Sequence, residues 1–176
     1  MGLRDFLAFR VVRLARRLHF ERLILLSASS SPFLEYFKGF EKVEAVKRIF
    51  GQKTSEVLRN LKVDFIWAGY MGVNDSNGHM LVNSNYLNNG DRTDIYLDVI
   101  HELVHVKQYM EGRELFDSHY DYVERPTEIE AYRHAVEEAR RLGWNDTKIC
   151  RYLKTEWMSN NDLKRLATTL GVSCGK

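Results

Sequence analysis

Only two cysteines, Cys150 and Cys174, occur in 176 residues, too few for the disulfide framework of a small secreted scaffold. The chain opens without a secretory signal, so a cytoplasmic protein is expected. No apolar run approaches the ~20 residues that a membrane helix requires, so no transmembrane segment is expected. Charge of one sign is also lacking. Lys and Arg number 26 against 24 Asp and Glu, a formal net charge of +2, too balanced to imply nucleic acid by itself. Internal repeats, low-complexity tracts and a glycine-rich phosphate loop are missing as well, which sets aside repeat arrays and P-loop nucleotide binding. What is present is 44% hydrophobic residues in 20.7 kDa, enough to bury the core of one domain spanning residues 1–176.

Against that plain background one segment carries chemistry. Residues 98–109 read Asp-Val-Ile-His-Glu-Leu-Val-His-Val-Lys-Gln-Tyr. On a helix, His101 and His105 share a face one turn apart, so both imidazoles can hold one metal ion. Glu102 lies one step round, within reach of a water at that ion without being a ligand. Two neutral nitrogen donors, an open coordination position and a carboxylate that takes a proton are what a zinc hydrolase needs. Val99, Ile100, Leu103, Val104 and Val106 make the segment a buried helix, where polar atoms need partners. An ordinary core helix with two hydrogen-bonded histidines is the plainer account of the same residues.

A catalytic zinc usually takes three protein ligands, and three residues compete for the third place. Glu128 lies in Glu124-Arg125-Pro126-Thr127-Glu128-Ile129-Glu130-Ala131-Tyr132. There Thr127 is expected to cap a helix, with Glu130 completing a capping box. That occupies Glu130 and leaves Glu128 free, while small Ala131 and Ala135 let its face approach the motif helix. His119 sits in an aromatic, acidic stretch and reads more simply as a hydrogen-bonded loop residue. Glu111 would need a glycine where Gln108 stands. Glu128 is the choice.

The run His101-Glu102-Leu103-Val104-His105, followed by Glu128-Ile129-Glu130-Ala131, resembles the zincin metallopeptidases of the glutamate-liganded branch, the gluzincins. With Gln108, Gly112, Phe116, Tyr120 and Pro126-Thr127, it is also similar to small bacterial and archaeal metallopeptidases, over about residues 79–140. By position, the resemblance implies His101, His105 and Glu128 as ligands of Zn2+ and Glu102 as general base. It implies a peptide or protein substrate, hydrolysed by a zinc-activated water. Tyr132 stands where many gluzincins carry an acidic residue that orients a ligand histidine, so that orientation must come from another group. No separate transition-state histidine is evident, which leaves Tyr120, Tyr122 or Tyr132 to donate to an oxyanion.

The rest of the chain frames this segment. Residues 3–26 set leucines and phenylalanines among six arginines from Arg4 to Arg22, a basic amphipathic helix for the core, a membrane surface or a partner. Residues 35–60 are expected to be helical, interrupted at Gly39 and Gly51. Leu61–Tyr70 and His79–Tyr86 read as two strands about a turn with Asn77-Gly78 at its apex. The motif helix should start at Thr93 or Asp94. A second helix should run over 127–142, a third from Asn145 or Asp146 to about Met158, and a fourth to Leu170. The expected fold is α+β and zincin-like: N-terminal helices, a small mostly antiparallel sheet, the metal helix and a helical tail. Its edge strand would align an extended peptide over the metal. Two rivals remain at this level: a non-catalytic or regulatory zinc protein, and a nucleic-acid-associated protein using the basic tail (Lys148, Arg151, Lys154, Lys164, Arg165).

Overall fold

The computed structural model describes residues 30–67 and 69–175, and the basic amphipathic helix expected over residues 3–26 lies outside them. The first helical stretch breaks where glycine permits. Gly39 and Gly51 take φ of 94° and 59°, conformations that cost other residues dearly. After strand β1 (Ser31–Pro32) come α1 (Phe33–Tyr36), α2 (Glu44–Phe50) and α3 (Thr54–Asn60). They bury Phe33, Phe37, Phe40, Val46 and Leu58.

The sheet is mixed, in the order β1-β2-β4-β3. Strand β2 covers Lys62–Ile66, β3 Met71–Val73 and β4 Met80–Asn83. Strands β1 and β3 run antiparallel to their neighbours. Strands β2 and β4 are parallel, with Val63 opposite Met80 and Ile66 opposite Asn83. The expected hairpin of residues 61–70 with 79–86 is therefore corrected: these two segments pair in parallel, and the second strand ends at Asn83. The first strand stops at Ile66, and a separate short strand makes the hairpin with β4. Asn83 explains the stop. Its amide donates to Trp67 O at 3.3 Å and Gly69 O at 2.8 Å, pulling the chain out of the sheet. Its Oδ1 accepts from Asn85 and Tyr86 N–H and caps α4 (Ser84–Asn89), which takes the place of the end of the strand expected to reach Tyr86.

Helix α5, Arg92–Met110, starts behind Asp91, whose carboxylate accepts from the Thr93 and Asp94 N–H groups. Val99, Ile100, Leu103 and Val104 are fully buried, as befits a helix apolar on most faces. Helix α6, Pro126–Arg141, lies along it and brings buried Ala131, Ala135 and Ala139. Helices α7 (Asp146–Leu153) and α8 (Asn160–Thr169) form the tail. Helix α7 ends earlier than the expected Met158, so residues 154–158 form a loop. Cys150 on α7 is disulfide-bonded to Cys174 in the last segment, a single bond rather than a framework. No helix among the described residues is long and apolar enough to cross a membrane.

Candidate metal centre

The i, i+4 spacing on α5 puts the two imidazoles side by side, with His101 Nε2 3.0 Å from His105 Nε2. From the first turn of α6, Glu128 Oε2 comes within 3.3 Å of His101 Nε2 and 3.5 Å of His105 Nε2. Among the described residues these three form one group that could hold a metal ion. Exposure is 7%, 6% and 5% for His101, His105 and Glu128, so the three donors are shielded from bulk solvent. Donors at ~2.0–2.2 Å from a tetrahedral ion lie about 3.4 Å from one another, and the three observed separations bracket that value. The residues fit a zinc ion.

Hydrogen bonding supports the same fit. His101 Nδ1, Glu102 Oε2 and Glu128 Oε2 are buried with no hydrogen-bond partner; the Glu128 oxygen is close to both imidazoles but in hydrogen-bond geometry with neither. Leaving such a group buried and unpartnered costs ~1–3 kcal/mol, a cost that a bound cation would relieve at Glu128; His105 is itself hydrogen-bonded to Gln108 and to His101. Charge is also strained. Burial disfavours a charge on His105, but Glu128 and Glu102 outweigh it and push the imidazole up to about 9. Burial lowers His101. Burial works against the Glu128 charge too, yet the two imidazoles hold its carboxyl well below the usual range. Burial pushes Glu102 up to about 8. A buried pair of acceptors thus draws a proton into the space where a cation would sit.

The reason given for Glu128 needs correction. Thr127 does not cap α6, whose N-cap is Arg125 with no side-chain cap bond. Instead Thr127 Oγ1 donates to Leu115 O at 3.1 Å. Glu130 is not in a capping box either: it accepts from Gln108 Nε2 at 3.0 Å and from Arg113. The helix starts at Pro126, one residue earlier than expected, and Glu128 in its first turn faces the histidines. The two rejected candidates lie elsewhere. His119 is 88% exposed in its side chain and paired with Asp117, and Glu111 pairs with Lys107 at 2.8 Å.

The centre opens on one side. A cleft of about 370 Å³ is lined by His101 and Glu102 together with Tyr70, Met71, Tyr122, Tyr132 and Trp157. Tyr132 packs its ring against His101 at 4.4 Å, and its hydroxyl lies 2.8 Å from that of Tyr122. Tyr120 is 45% exposed and not part of the lining. Asp98, one turn before His101, accepts from Tyr152 OH at 2.9 Å and from Tyr86 OH; burial pushes it up to about 6. Sequence reasoning passed over Asp98, Asn83 and Trp157, whose partners lie far along the chain. Gln108 carried a local signal, three residues after His105. No family model, curated protein or solved structure matches the chain.

Proposed function

We propose that the protein is a zinc-dependent metallopeptidase of zincin-like fold, with His101, His105 and Glu128 as ligands and Glu102 as general base. One observation carries the reading: three converging donors sit beside a carboxylate with an unpaired oxygen, and that carboxylate lines an open cleft. A purely structural site has no use for such a base. A bound zinc ion supplies Lewis acidity, polarising a carbonyl and lowering the pKa of nearby water toward ~7. Burial holds the Glu102 carboxyl up to about 8; a cation held by the three donors would favour its charged form, in which it would accept a proton from the attacking water and hand it to the leaving amine. Tyr122 and Tyr132 offer hydroxyls to the oxygen that gains charge. Strand β3 ends the sheet, and Met71 on it lines the cleft, so an extended peptide can add to that edge by main-chain hydrogen bonds.

Two measurements test the reading. Elemental analysis of purified protein should find about one zinc per chain, lost in the double variant His101→Ala, His105→Ala. Glu102→Gln should keep zinc and fold while peptide cleavage falls by roughly 10²–10⁴-fold. Equal cleavage by wild type and Glu102→Gln would remove Glu102 as the base. A zinc-loaded wild type indifferent to every peptide, with nothing bound in the cleft, would favour the regulatory zinc protein instead.

A further inference from the structure

We propose that Gln108 is a positioning residue of this centre, fixing the His105 tautomer that a metal requires and pinning the first turn of α6. The proposal rests on the zinc reading above. Gln108 is fully buried, and its amide has a determined orientation. Its Nε2 lies 3.0 Å from Thr127 O and 3.0 Å from Glu130 Oε2, and both of those atoms accept. The nitrogen must therefore face them, and Oε1 must be the atom 2.7 Å from His105 Nδ1. A carbonyl oxygen can only accept, so Nδ1 carries the hydrogen. The lone pair of neutral His105 is then on Nε2, the atom turned toward His101 and Glu128.

The same amide reaches α6. Thr127 O precedes Glu128 in the chain, so the bond from Gln108 sets where the Glu128 backbone starts. One side chain on α5 thereby orients two of the three donors. Its own position is secured by Glu130, which Arg113 grips and Lys107 approaches at 3.9 Å. Arg113 arrives there because Gly112, at φ 72°, reverses the chain, and the Arg113 N–H donates to Gln108 O at 3.0 Å. Nothing comparable serves His101, whose Nδ1 has no partner. This supplies the orientation that an acidic residue at the position of Tyr132 would have given, from a different helix and a neutral group.

The experiment is zinc affinity by chelator competition, on wild type, Gln108→Leu and Glu130→Ala, with circular dichroism to check the fold. Gln108→Leu should bind zinc about 10–100-fold more weakly, the usual effect of losing an outer-shell partner. Glu130→Ala, whose side chain is 30% exposed, should move affinity the same way by less. In zinc-loaded wild type, nitrogen-15 NMR of the imidazoles should find His105 metal-bound through Nε2 and protonated at Nδ1. A Gln108→Leu protein that is less stable yet binds zinc as tightly as wild type would overturn the proposal, leaving the centre intact. Metal bound through His105 Nδ1 would overturn it too. If Gln108→Leu does not fold, Glu130→Ala and Arg113→Ala decide, and wild-type affinity in both counts against it. Failure of wild type to hold zinc would instead remove the reading beneath it.

Discussion

His101, Glu102 and His105 were legible because helical spacing converts sequence distance directly into spatial distance: four residues are one turn. Glu128 was legible only in part. It was selected by assigning Glu130 to a cap, and Glu130 instead holds Gln108 and Arg113, so the step that led to Glu128 fails while Glu128 still lies beside both imidazoles. The consequence is measurable. Glu128→Ala should weaken zinc binding by orders of magnitude, whereas His119→Ala should leave it unchanged, since that side chain is exposed and paired only with Asp117. Tight zinc in Glu128→Ala would reassign the third ligand. The metal-free centre should also titrate. His105 is pushed up to about 9 and Glu102 up to about 8, so both are largely protonated at pH 7. A zinc ion held as proposed would displace the His105 proton, so affinity should rise with pH from 7 and level off above 9. Calorimetry in buffers of differing ionisation heat would count the protons released; no release at pH 7 would contradict the shared-proton picture.

At the level of elements, local rules served helices better than strands. Glycines at positions 39, 51, 143 and 171 break or end helical segments at positive φ; Asn145, one of the two residues expected to start α7, caps it, and Ser159 caps α8. The sheet was misread because alternation over residues 61–70 says nothing about which strand lies beside which. Parallel pairing of β2 with β4 is set by contacts distant in sequence, above all those of Asn83. That residue joins three parts of the structure: it ends β4, caps α4 and holds the carbonyls of Trp67 and Gly69 just ahead of Tyr70, which lines the cleft. Asn83→Ala removes a helix cap and leaves those two carbonyls without their donor. A loss of ~2–3 kcal/mol in urea unfolding is expected, the sum of a cap and a buried hydrogen bond. A loss under ~0.5 kcal/mol would mean that the carbonyls are held by something else.

Across the whole molecule, the tail is attached to α5 and to the segment before α6 by side chains rather than by a shared core stripe alone. Tyr152 on α7 donates to Asp98 on α5, and Arg165 on α8 pairs with Asp121 and Glu124. Lys148 lies over the Trp144 ring at 3.8 Å, and Lys154 donates to Met158 O and Asn160. The cations that suggested a nucleic-acid face thus largely serve the fold, an outcome composition could not show. The Cys150–Cys174 bond completes this attachment, joining residues 24 apart in sequence, and two isolated cysteines give no sign of such a pairing. Closing a loop of that size restricts the unfolded chain and contributes ~2–4 kcal/mol. Cys174→Ser, or reduction of the wild type, should therefore lower the urea midpoint by a matching amount. Zinc stoichiometry should not change, because all three donors lie on α5 and α6, outside the loop. If reduction and Cys174→Ser leave the midpoint unchanged, the bond does not constrain the tail. If zinc is lost with the bond, the tail holds the metal helices in register, and the centre depends on more of the chain than its ligands and Gln108.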